Sequence, residues 1–215
     1  MKKNDLTSKI ENFLAAPEAD KDFISKYMSD LQQKMAVYSK TVGIAASGAG
    51  LLSVLFLLIS ARGVGRFTAF GVEITRYSAV SIAIPPIVAL ILVRMAAVIN
   101  YGAVAVQVYK ELSKKAYPVL FETGLWDLTV SDYMPFLETP SGIWKGSRLW
   151  VLLDKISNFI IAIVALAPYI FFIYAFYILF DTYHVEDFFV WFSLCATTLF
   201  SVLTTRILLS EIWEK

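Results

Sequence analysis

Only one cysteine and one histidine occur in this 215-residue chain. Zinc and iron–sulfur sites gather several such ligands, so no metal and no cofactor is expected. Cys195 alone can form no intramolecular disulfide, and it lies in an apolar run. Charge is scarce as well. Charged residues make up 17% of the chain, against roughly 25% in a soluble domain, and the net charge is +1. That balance lacks the basic surface that direct nucleic-acid binding needs.

Catalytic fingerprints are missing too: there is no GxGxxG, P-loop, HExxH, GxSxG or CxxC. His184 stands between Asp181 and Asp187 in a short polar turn, which reads as solvated surface. Glu122 with Asp127, or Asp132 with Glu138, has no spacing that fixes an acid–base pair. No enzyme is expected.

What the chain has in abundance is apolar surface. Hydrophobic residues reach 58% and the mean hydropathy is +0.64. A soluble protein this small has too little interior to hide so much, so lipid must solvate part of it. Windows 41–61, 77–93, 156–180 and 188–205 contain no Asp, Glu, Lys or Arg. A helix needs about 20 residues to cross the hydrocarbon core. The expected fold is an all-α integral membrane protein with four transmembrane helices, cytoplasmic N-terminal helices and a cytoplasmic central segment.

The second span admits two placements. One runs from about 78 to 99, leaving Arg94 to snorkel to the inner headgroups, with Pro85 and Pro86 as a kink. The other runs from about 87 to 109, starts at the prolines and buries Arg94 and Asn100, at a cost of a few kcal/mol. The first is the cheaper. In either case the helix is expected to continue toward Lys114 and Lys115.

Seven Lys in the first forty residues, and more between 110 and 155, place both termini and the central segment inside. Arg62, Arg66 and Arg76 in the first outer loop weaken that contrast. The expected divisions are 1–39 cytoplasmic helices, 40–61, 78–99, 156–180 and 188–208 spans, 62–77 and 181–187 outer loops. Segments 100–155 and 209–215 are cytoplasmic. The first apolar run begins only near residue 41, so no cleaved leader is expected.

Three groups of residues are candidates for function. Ile24, Met28, Leu31 and Met35, followed by Tyr38, repeat at spacings of four and three, the seam of a short coiled coil. The seam suits either packing on the chain itself or lipid, or a homo-oligomer axis. Between Tyr117 and Trp150, aromatic residues alternate with acids. Trp126, Asp127, Asp132, Phe136 and Trp144 suit the inner headgroup layer or a cytosolic protein partner.

The third group is polar and intramembrane. Ser193, Thr197, Ser201 and Thr205 recur every fourth residue on the last span, for helix packing or for lining a pore. Arg94 and Asn100 belong with them. Two further expectations concern the spans themselves. Ala46 and Gly50, in a glycine-rich stretch, predict tight packing of the first span on a neighbour, in the same chain or in another subunit. Residues 66–75, where Phe70, Val72 and Ile74 alternate with smaller or polar residues, predict a short extended segment.

Four spans, cytoplasmic termini and a basic N-terminal helix (Lys2, Lys3, Lys9, Lys21, Lys26) resemble the four-pass membrane subunit of the bacterial Kiwa anti-phage defence system. The resemblance implies an inner-membrane oligomer that detects infection and engages a separate cytosolic protein. It carries no functional residue across. The expectation is a non-enzymatic oligomeric inner-membrane scaffold or sensor that recruits a cytosolic partner. The alternative is an ion channel or pore lined by the hydroxyl stripe of the last span.

Overall fold

The computed structural model describes residues 3–15, 21–60, 67–69, 72–74, 79–123, 148–183 and 187–213. Among them are six helices: α1 (Lys3–Leu14), α2 (Lys21–Ser60), α3 (Ala79–Ala116), α4 (Pro118–Glu122), α5 (Arg148–Thr182) and α6 (Phe188–Trp213). Two three-residue strands, β1 (Phe67–Ala69) and β2 (Val72–Ile74), pair antiparallel with Phe67 opposite Ile74 and Ala69 opposite Val72. This small ribbon falls where the alternating residues predict extended chain.

Local chemistry accounts for the helix limits. Asp22 lies in the first turn of α2, where the positive end of the helix dipole favours a carboxylate. Between Lys21 and Val42 there is no Gly or Pro, so nothing separates the amphipathic stretch from the apolar one. Helix α2 therefore runs unbroken for 40 residues, through the position near residue 39 where the first span is expected to begin. Lys114 and Lys115 close α3 at its negative end. Tyr117 precedes a proline and leaves the helix; Pro118 then opens α4. The Asp187 side chain accepts from the Phe189 amide at 2.9 Å and caps α6.

The chain divides into two compact units. The first comprises 1–41, 98–163 and 210–215. Its core joins Ile10 of α1, Met28, Leu31 and Met35 of α2, and Ala105, Tyr109 and Leu112 of α3. Phe13 adds rings at 5.8 Å from Phe23 and 5.5 Å from Tyr27. The Gln32 amide donates to the Tyr109 hydroxyl at 2.8 Å, and Lys115 reaches Glu11 at 2.9 Å. Around this core Lys26, Asp30, Lys34, Lys40 and Lys110 are exposed.

The second unit comprises 42–97 and 164–209. Phe56 and Ile59 of α2, Ile84, Val88, Ala89 and Leu92 of α3, and Phe171, Phe172, Ala175 and Ile178 of α5 share one core. Phe56 meets Phe171 edge-on at 5.6 Å. A second cluster holds Leu179 of α5 with Val190 and Leu194 of α6. Its outer surface is apolar. Leu51 is 72% exposed, Ile173 71% and Phe192 63%. The helical stretches of this unit carry only Arg94, Asp181 and Arg206 as charges.

Among the described residues four helices are long and apolar enough to cross a membrane: Asp22–Ser60, Ala79–Ala116, Ala165–Thr182 and Phe188–Leu209. An apolar exterior of this kind fits a bilayer, where every backbone polar group must find its partner within the protein. The chain has the fold of an all-α integral membrane protein.

Candidate functional site

The polar groups of the second unit concentrate around a defect in α3. Pro85 and Pro86 lie inside that helix and have no amide hydrogen. The carbonyls of Ser81 and Ile82, four residues earlier, therefore lose their helical donors. Left bare in an apolar interior, such a group costs a few kcal/mol. The Ser193 hydroxyl, from α6, donates to the Ile82 carbonyl at 2.6 Å and replaces its missing helical donor. Beside it the Ser81 and Tyr183 hydroxyls share a hydrogen bond of 2.7 Å between α3 and the end of α5.

The hydroxyl stripe continues from there along α6. Thr197 donates to the Ser193 carbonyl at 2.7 Å, Ser201 to Thr197 at 2.7 Å and Thr205 to Ser201 at 2.9 Å. The Tyr169 hydroxyl of α5 meets the Thr205 hydroxyl at 2.7 Å. Ser193 is 2% exposed and Thr197 is fully buried. Each of these hydroxyls is thus satisfied within the chain, by its own helix or by a neighbour. The stripe faces the protein interior at Ser193 and Thr197, as helix packing requires.

The seam residues have a partner that their spacing did not reveal. Met28, Leu31 and Met35 are buried, and Ile24 half-buried, against α1 and α3 of the same chain. Ala105, Tyr109 and Leu112, spaced four and three on α3, were the readable sign of that partner.

The glycine-rich stretch finds no close neighbour in its own chain. A Cβ added at Gly43, Gly48 or Gly50 would meet nothing within 4 Å, so these positions hold no close helix contact within the chain. Ala49 alone of the neighbouring small residues enters the core. The aromatic end of α5 is divided: Phe171 and Phe172 are core, whereas Tyr174, Tyr177 and Phe180 are exposed.

Arg94 is exposed, in line with the exposed Leu90 and Ile87 one and two turns earlier. Asn100 is half-buried on the part of α3 that belongs to the first unit. Arg206, which sequence inspection passed over as the end of an apolar window, is exposed on α6. Trp126, Asp127, Asp132, Phe136, Trp144 and His184 lie outside the described residues. Comparison with protein-family models, curated proteins and solved structures found no match to this chain.

Proposed function

We propose that the protein is a non-enzymatic membrane scaffold that holds a helical body at the inner membrane surface for a cytosolic protein partner. One observation carries this reading. Helix α2 has 40 residues and α3 has 38, each nearly 60 Å long at about 1.5 Å per residue and close to twice the hydrocarbon thickness. About half of each must leave the bilayer, and those halves join α1 in a packed core with a charged surface.

Homo-oligomeric assembly belongs to the same reading, although its contact is not the α2 seam, which one chain already fills. The resemblance to the Kiwa membrane subunit suggests anti-phage defence as the setting. The hydroxyl stripe gives the pore alternative little support, because its first two members are buried in one chain and hydrogen-bonded there.

The test is purification of the tagged chain from its host in mild detergent, with mass spectrometry of what accompanies it. The scaffold reading expects a stoichiometric soluble protein that is lost in Trp126→Ala/Trp144→Ala while the membrane chain is recovered in full. A chain that brings no soluble protein and conducts ions in liposomes would overturn it.

A further inference from the structure

We infer that Arg94 and Arg206 form one layer of phosphate-binding side chains that holds anionic phospholipid headgroups at a boundary of the bilayer. Both are exposed on helices long and apolar enough to cross a membrane. Among the described residues neither side chain makes a hydrogen bond or an ion pair. The surfaces around them are apolar: Leu90 precedes Arg94 by about one turn, and Val202 precedes Arg206 likewise, both exposed. An arginine on such a surface is costly within hydrocarbon and favourable at the headgroups, where phosphate oxygens match the guanidinium fork.

The depth of the two residues follows from helix register. Helix α5 runs antiparallel to α6, since Phe180 meets Trp191 edge-on while Tyr169 bonds to Thr205. It runs antiparallel to α3 as well, with Tyr183 bonded to Ser81 and Phe171 in one core with Leu92. Helices α3 and α6 therefore point the same way.

Two separate measures then put both arginines at one level. Ser193 bonds to Ile82; Arg94 lies 12 residues beyond Ile82 and Arg206 lies 13 beyond Ser193. At about 1.5 Å per residue those are descents of about 18 Å and about 20 Å. Along α5, Tyr169 precedes Tyr183 by 14 residues, and the same step from Ser81 on α3 reaches Met95, next to Arg94. Tyr169 is itself bonded to Thr205, next to Arg206. A tyrosine at this level suits a headgroup boundary. The capping Asp187 lies 19 residues from Arg206, about 28 Å along α6, close to the hydrocarbon thickness of about 30 Å.

The two arginines need not touch the same lipid. Their common depth makes them a belt, and the chemistry they recognise is a phosphate with net negative charge. A zwitterionic headgroup supplies the phosphate together with its own cation, so the belt favours anionic lipid.

The experiment uses the full chain in nanodiscs that mix phosphatidylglycerol with phosphatidylcholine, followed by native mass spectrometry of the lipids retained on release. The wild type is expected to retain phosphatidylglycerol in preference. Arg94→Gln/Arg206→Gln is expected to lose the preference by roughly fivefold per arginine, and Arg94→Lys/Arg206→Lys to keep most of it. The single Gln variants serve if the double variant does not fold, as judged by helicity. Equal retention of the two lipids by the wild type, or an unchanged preference in the folded Gln variants, overturns the inference. So does displacement of the lipid by inorganic phosphate in the buffer, which would make the site one for free anions.

Discussion

The Ser193 hydroxyl lies 2.6 Å from the Ile82 carbonyl, the acceptor that Pro86 leaves without a helical donor. A defect in one helix is thus matched by a side chain on another, 111 residues away in sequence. The pairing explains why a proline pair is tolerated inside an apolar helix, and it leads to a direct test.

Ser193→Ala should destabilise the protein by about 1 kcal/mol, and by no more than about 2, because a buried carbonyl loses its donor. Pro86→Ala restores a backbone amide to Ile82, so the double variant should recover part of that loss. The measurement is unfolding in mixed detergent micelles, run as a double-mutant cycle. Strict additivity of the two changes would mean that serine and proline do not act on the same carbonyl.

Met35 is fully buried in the first unit, whereas Val37, two residues on, is more than half exposed. Met35→Ala should cost about 2–5 kcal/mol and Val37→Ala well under 1 kcal/mol. Limited proteolysis of the purified chain provides the readout, with faster cleavage expected within residues 21–41 for the first variant alone. Similar protection in both would place the seam outside the folded core.

Gln32 and Tyr109 form a part-buried bond at 2.8 Å between α2 and α3. Tyr109→Phe should cost about 1 kcal/mol, and pairing it with Gln32→Leu should give back much of that by removing both polar groups. The Lys115–Glu11 pair, exposed to water on both sides, should contribute less than about 1 kcal/mol and weaken as salt rises. A salt titration of the melting temperature in Glu11→Gln and wild type would separate the two effects.

Asp187 caps α6 through the Phe189 amide. Asp187→Ala should cost roughly 0.5–2 kcal/mol and raise amide exchange at Phe189 and Val190 before it affects Thr197. Exchange that rises uniformly along α6 would argue that the cap is not what anchors this end.

Much of the fold was legible because the signals were local. Four charge-free apolar windows announce helices for lipid, and the absence of Gly and Pro between Lys21 and Val42 lets α2 run unbroken. The spacing of Ile24, Met28, Leu31 and Met35 marked a face to be buried. What covers that face was not legible, because an apolar stripe fits any complementary stripe, on this chain or another.

The same limit applied to the polar residues. A hydroxyl every fourth residue describes one side of a helix, equally suited to water, to a partner helix or to its own carbonyls. Only the approach of α6 to α3 directs Ser193 at Ile82. Arg206 escaped notice for a related reason: at the end of a window it looks like a boundary marker, and its depth emerges only when α5 is used to align α6 with Arg94.

Composition and periodicity by themselves determined that this chain belongs in lipid, where its helices run and which faces they bury, since burial and helix propagation depend on neighbours within a few turns. Tertiary structure alone decided that the α2 seam is filled by α1 and α3, that the Ile82 carbonyl takes its donor from Ser193, and that two arginines share one depth. Those outcomes depend on contacts between residues far apart in the chain, and no local pattern encodes which distant partner will arrive.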